Sequence, residues 1–173
     1  MNETIKNILE RRSIRKYKDK EVSEELIDEV LKAGIYAPSG MNRQSPIIVA
    51  ITNKEIRDKL SKINAKIMGV DTDPFYGAPV VIVVLADKNV PTHIYDGSLV
   101  MENMMLAANS LGLGSCWIHR AKEEFETEEG KEILKSLGIK GEYEGIGNCI
   151  LGYPDNEKIE AKPRKENYIY KIK

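Results

Sequence analysis

Residues 80–86 read VVIVVLA, seven consecutive apolar side chains of which five are β-branched. Branched chains fit a pleated, packed surface, and a run with no polar alternation predicts the central strand of a sheet. Upstream, PIIVAIT (46–52) predicts a second buried strand. A polar helix follows at 54–65, and 66–78 reads as a loop containing Gly69, Asp71, Asp73, Pro74 and Gly77. Nearer the start, Ile5, Ile8 and Leu9 share one face of a helix over 3–11. Ser23 is a good N-cap, followed by Glu24 and Glu25 where the helix dipole favours acids. Leu26, Ile27, Val30, Leu31 and Ile35 then recur at helical spacing until Pro38 stops the helix.

Downstream of the central strand, 95–111 predicts a helix ending at Gly112, and SCWIH (115–119) a strand. An acidic helix follows at 127–137, and EGIGNCILG (144–152) is the last strand. The tail 153–173 has no strong period and reads as an extended segment docked on another surface. Four strands and about five helices predict a mixed α/β layer fold. Strand–helix alternation would permit a parallel Rossmann sheet, but Gly112-Leu113-Gly114 lacks the third glycine of GxGxxG. It also follows a helix and precedes a strand, the wrong context for a dinucleotide turn. The 95–111 helix is apolar nearly all round, from Leu99, Val100 and Met101 to Met104, Met105, Leu106 and Leu111. It should therefore be buried on all sides, in mid-domain or at a subunit interface, and is the main sign of a dimer.

The length of 173 residues suits one domain, and 42% hydrophobic content excludes general disorder. Twenty-six basic and 27 acidic residues leave a net charge of -1, which argues against a whole-protein role on nucleic acid or an anionic membrane. Cys116 and Cys149 form no CxxC or zinc pattern and read as reduced cysteines in apolar strands. The N-terminus shows no leader pattern and 97–118 is too polar to span a membrane, so a cytoplasmic location is expected.

The sharpest polar feature is Arg11-Arg12-Ser13-x-Arg15, where a helix gives way to an extended segment. Guanidinium groups match phosphate oxygens, often bidentately, and Ser13 adds a hydroxyl donor. A solvated basic face is the plainer reading. Lys162-Pro163-Arg164-Lys165 is a second basic group, otherwise a charged tail. The loop Pro38–Pro46 offers Ser39, Asn42 and Gln44, uncharged groups suited to a heterocycle edge or a sugar hydroxyl, or simply a helix-to-strand connection. Residues 74–79 (PFYGAP) could wall a planar ligand or pack. His93 and His119 sit in no metal motif and no GxSxG elbow is present. A chain without a marked nucleophile, metal or acid–base pair can take its chemistry from a cofactor.

Taken in order, RRSIRKY (11–17), APSGMNRQSP (37–46), FYGAPVVIVV (75–84), GSLVMENMMLAANSLGLGSCWI (97–118) and KPR (162–164) resemble the FMN-dependent nitroreductase family over nearly the whole chain. The resemblance implies one α+β domain over 1–173, with a central, mostly antiparallel sheet flanked by helices. It implies an intertwined homodimer with two FMN sites at the interface and the tail 153–173 on the partner. Arg11, Arg12, Ser13 and Arg15 would hold the FMN phosphate and ribityl chain, joined by Lys162 and Arg164. Pro38, Ser39 and Asn42 would reach the flavin from the partner subunit, and Gln44 is a further cofactor-binding candidate. Trp117, Ile118, His119 and Arg120 would lie against the isoalloxazine, with a backbone N–H of His119 or Arg120 near flavin N5. NADH or NADPH would deliver hydride to N5 and be replaced by a nitroaromatic, quinone or similar acceptor, a ping-pong scheme. A flavin-storing or sensing protein, and a non-flavin module binding an acidic partner or RNA through 11–20, are the alternatives. Two places depart from the family pattern: many relatives carry glycine or glutamate near His119 and Arg120, and many carry Trp where this chain has Ile47. The chain is also short, so substrate-covering helices of larger relatives should be missing or reduced.

Overall fold

A computed structural model describes residues 1–155 and 159–173. The run VVIVVLA lies in β2 (Val80–Asp87), buried from Val80 through Ala86. It pairs with β1 (Pro46–Ile51) on one side and β4 (Tyr143–Gly152) on the other, and β3 (Gly114–Ile118) lies outside β4. All three pairings are antiparallel, which excludes the parallel alternative.

The lack of polar alternation in β2 has a direct cause: both faces of the sheet are covered. Val80, Ile82, Val84 and Ala86 join a core built with α2 (Glu24–Ile35) and α4 (His93–Ser110). Val81, Val83 and Leu85 join a second core with α3 (Lys54–Met68), α5 (Ala121–Glu126) and α6 (Glu128–Ser136). Cys149 and Cys116 fall in the first and second core respectively, both free and buried. Burial pushes the Cys149 thiol up to about 12, which keeps it protonated and unreactive.

The sequence pattern missed one helix. Residues 121–137 form two helices because Thr127 takes an extended backbone between them. Its hydroxyl donates to the Glu124 carbonyl at 2.6 Å and accepts from the Gly130 N–H at 3.1 Å, closing α5 and capping α6. The crossing is tight: a Cβ at Gly130 would stand 2.2 Å from the Glu124 carbonyl oxygen. Within one chain α4 is not buried on all sides, which rules out the mid-domain alternative and leaves the interface one open. One face, with Val100, Met101, Met104, Met105 and Ala108, is buried, but Ile94, Tyr95 and Leu99 are exposed. Its neighbour α1 (Glu3–Glu10) packs on it through a polar residue. The Asn7 amide donates to the Leu106 carbonyl at 2.9 Å and accepts from Asn109 at 2.6 Å. Ile5, Ile8 and Leu9 consequently face outward. No helix among the described residues is long and apolar enough to cross a membrane. The tail from 159 carries no helix or strand, and 156–158, part of the predicted docking tail, lie outside the described residues.

Gly130→Ala should cost about 1–3 kcal/mol through overpacking against backbone. A thermal melt checks this; an unchanged midpoint would mean that α5 and α6 can separate without loss.

Candidate functional site

After α1 the chain runs as an extended strap along the sheet. Ser13 bridges Ser115, the Ile14 N–H donates to the Ser115 carbonyl at 2.9 Å, and Tyr17 bridges Pro154. The strap fixes the exit of α1, where Arg11 and Arg12 sit half-buried. Arg12 Nη1 donates back to the Leu9 and Arg11 carbonyls at 2.7 and 2.6 Å. Arg11 Nε lies 3.6 Å from Glu102 Oε1. Arg11 Nη1 and Arg12 Nε are buried and lack a hydrogen-bond partner among the described residues. Two adjacent guanidinium donors left unpaired are costly unless something outside the chain accepts from them.

Along the same edge, Arg15, Tyr76, Trp117, Ile118, His119 and Arg120 line a cleft of about 200 Å³. Its wall at 72–77 is held by Asp73, which accepts from Arg57, from Ser61 at 2.6 Å, and from the Phe75 and Gly77 N–H groups at 2.9 and 2.7 Å. Burial pushes the Asp73 carboxyl up, but these hydrogen bonds outweigh it and leave the group below its usual range. Phe75 is thereby buried in the second core while Tyr76, at φ 53°, is turned out to the cleft.

Pro38, Ser39 and Gln44 line a different and larger cavity, about 640 Å³, between α2 and β1 with Leu31, Ile35 and Ile47. Asn42 stands in the same loop, which makes a short 3-10 turn over Gly40–Asn42. Met41, Asn42 and Gln44 all have left-handed backbones, at φ 53°, 53° and 49°. Strain of this kind persists only where the surroundings enforce it. The enforcing group is Asp96 in the first turn of α4. It accepts from the Gly40 N–H at 2.9 Å, Ser45 at 2.8 Å and Thr92 at 3.0 Å. Burial raises its carboxyl and these donors more than compensate, so it lies below its usual range.

Beneath the end of β3 lies a polar network with no sequence signature. Arg120 opens α5 in the left-handed region at φ 79°, a conformation that costs a non-glycine residue about 1–2 kcal/mol. Its Nε donates to Asn64 Oδ1 at 2.9 Å. Asn64 Nδ2 donates to the His119 carbonyl at 2.9 Å and to Glu124 Oε1. Asn148 Nδ2 donates to Glu124 Oε2 at 2.9 Å. Glu124 is fully buried, and burial raises its carboxyl to about 7 against the opposing pull of the two amides and Arg120. The one available signal was positional: Glu124 shares its helix face with the buried Ala121 and Phe125.

Comparison with known proteins agrees with this architecture. The model of the nitroreductase family matches residues 8–71 and 69–153. The chain belongs to the nitroreductase family. An NADH dehydrogenase/NAD(P)H nitroreductase of Archaeoglobus fulgidus is 36% identical over 163 residues, covering 91% of this chain and 89% of that protein. An FMN reductase [NAD(P)H] of Bacillus subtilis is 26% identical over 95% of this chain and 70% of its own length. Among solved structures, a nitroreductase with bound FMN from Bacteroides fragilis superposes with a TM-score of 0.88 at 29% identity, with both chains fully covered.

The sequence-predicted residues thus fall into two groups in this nitroreductase. Ser13 bridges β3, Arg15 and Trp117–Arg120 line the cleft at its end, and Arg11 and Arg12 stand at the start of the strap outside that lining, while Pro38, Ser39, Asn42 and Gln44 lie towards the β1 edge, at the opposite end of the strand order. Lys162 and Arg164 are exposed in the tail, Arg164 donating to the Lys162 carbonyl at 3.3 Å.

Asp96→Asn should release the strained loop, at about 1–3 kcal/mol for the disrupted acceptors. Faster amide exchange at Gly40 checks it, and unchanged exchange would contradict the clamp. Glu124 gives a pH signature. Its folded pKa lies above the ordinary value of 4.5, so its contribution is most favourable below that value and is lost as pH rises through about 7. The loss corresponds to about 3 kcal/mol. Stability curves of the wild type and Glu124→Gln should diverge accordingly between about pH 5 and pH 8, the wild type falling relative to the variant. Parallel curves would refute a buried titrating acid.

Proposed function

We propose that this chain is an FMN-dependent NAD(P)H oxidoreductase that works as a homodimer. The observation that carries the reading is the pair of buried, unpartnered guanidinium donors on Arg11 and Arg12. The strap that follows them runs along β3 to a cleft lined by Arg15 and the end of that strand, in a fold shared with an FMN-bound nitroreductase. A phosphate monoester supplies the missing acceptors, and the donor set is all cationic or neutral, as such a ligand requires. Arg11, Arg12 and Ser13 would hold the phosphate and ribityl chain, with Lys162 and Arg164 added from the tail. Arg15 would face the ring system, and Trp117–Arg120 would lie along its edge. Arg120 lines the cleft with a left-handed backbone, and its N–H or that of His119 would donate near flavin N5. Held there, FMN would supply the hydride chemistry between NADH or NADPH and a nitroaromatic, quinone or similar acceptor, in a ping-pong scheme.

Two copies are needed for a complete site on this reading. Pro38, Ser39, Asn42 and Gln44 are remote in strand order from the arginines and would enter from the partner. The exposed apolar residues of α1 and α4 (Ile5, Ile8, Leu9, Ile94, Tyr95, Leu99) supply a surface for such pairing. The tail would wrap the second subunit: Tyr168, Ile169, Tyr170 and Ile172 are all exposed, and β1 ends the sheet beside a groove rimmed by Glu21, Glu24 and Asp28. The basic strap is largely engaged within the chain, with Lys16 at 3.3 Å from Asp155 and Lys20 over the Tyr153 ring. That disfavours a nucleic-acid role. A cytoplasmic location belongs to the same proposal.

Reconstitution with FMN should give absorbance at about 450 nm that anaerobic NADH or NADPH bleaches. Arg12→Ala should weaken FMN by about 1–3 kcal/mol, roughly 5- to 150-fold. Absence of FMN binding would sink the proposal. Binding without bleaching by either nicotinamide would point to storage or sensing instead.

A further inference from the structure

Glu124 is a fully buried acid with no cation in direct contact among the described residues. Its two oxygens are held by two side-chain amides whose remaining atoms behave differently. Asn64 is fixed in one orientation, because its Oδ1 must face Arg120 Nε while its Nδ2 serves the His119 carbonyl and Glu124. Asn148 is not fixed: its Nδ2 meets Glu124 while its Oδ1 is buried with no partner. An ionised Glu124 demands the amide donor. A protonated Glu124 would be served equally by Asn148 rotated to present its oxygen. The position is built for an acid with two states, a few bonds from a strained turn.

The surroundings keep the charge local. Arg120 from the turn and Glu123 on α5 are the charged groups that bear on it. Asn64 from α3 and Asn148 from β4 are neutral, and β2 presents Val81, Val83 and Leu85 on that side of the sheet. α6 meets it through the backbone of Gly130. β4 comes close enough that a Cβ at Gly145 would stand 2.2 Å from the Ala121 carbonyl oxygen, which leaves the start of α5 little room to move.

We propose that Glu124 is a positioning residue for the flavin: through Asn64 and Arg120 it fixes the left-handed turn that ends β3, and its charge bears on the cofactor lying against that turn. The inference rests on the FMN reading above. Electrons added to a flavin near a buried carboxylate are disfavoured, and protonation of Glu124 relieves this.

The experiment is the two-electron midpoint potential of bound FMN in wild type and Glu124→Gln across pH 5.5–8.5. Gln mimics the protonated acid: its oxygen accepts from Asn64 and its amide donates to Asn148 Oδ1. Below pH 6 the potentials should coincide. Above pH 8 the variant should favour the reduced flavin by about 3- to 10-fold, or about 15–30 mV at roughly 30 mV per tenfold. The flavin's own titration cancels in the difference, and a purely structural Glu124 would give none. Equal potentials at every pH, with FMN bound to both proteins, overturn the inference and leave the FMN reading intact. No binding of FMN by the wild type removes both. Should Glu124→Gln fail to fold, Asn148→Leu, outside the cleft lining, keeps the volume and removes the donor that does most to hold the Glu124 carboxyl down. Its potential–pH curve should then bend at higher pH than that of the wild type, and an unmoved bend overturns the inference.

Discussion

The strap from Ser13 to Tyr17 is the constraint on which the site depends. One backbone hydrogen bond, from the Ile14 N–H to the Ser115 carbonyl, and the flanking bridges tie the exit of α1 to the sheet edge. Arg11 and Arg12 therefore cannot swing freely into water, and part of each guanidinium is buried without an acceptor. Leaving a buried donor unpaired costs about 1–3 kcal/mol, more for a charged group. That the fold tolerates two such donors on consecutive residues is the physical argument for an anionic ligand.

Around this fixed point, two carboxylates do similar work on two loops. Asp73 gathers four donors and turns Tyr76 outward; Asp96 gathers three and holds a loop with three left-handed residues. Each is an acid held ionised by hydrogen bonds, so both clamps should slacken only well below neutral pH. Glu124 is the opposite case, raised towards neutrality by burial. The molecule thus separates acids that shape loops from one whose charge can change under working conditions. The two loops serve different sheet edges, which is why the proposed site closes only when a second copy contributes.

Much of this was legible in the sequence. VVIVVLA located the middle of the sheet because a strand covered on both faces needs no polar alternation. Ser23, Pro38 and Gly112 marked helix ends through local backbone chemistry, and the Arg11–Arg15 cluster stood out by charge and position. What stayed hidden depends on tertiary contact. Thr127 splits 121–137 through a hydroxyl that serves two helices, which composition does not reveal. For α4 the sequence left two places open, mid-domain or a subunit interface, because an apolar helix reads the same whether its second face meets the core or another subunit. Asp96, Asn64, Glu124 and Asn148 come from separate stretches, and only the folded chain brings their partners together. The antiparallel pairing, too, came from the family resemblance rather than from strand–helix alternation.

The central claim, that one site needs the arginines of one copy and the loop of another, is tested by mixing two damaged proteins. One parent is Arg12→Ala; the other is Ser39→Ala with Asn42→Gly, which keeps the left-handed backbone. Each should bind little FMN alone. After unfolding and refolding together, random pairing should restore about one quarter of the wild-type FMN sites, because each mixed dimer regains one intact site. A mixture that binds no more FMN than its parents, or wild type that carries FMN as a monomer, would contradict the account.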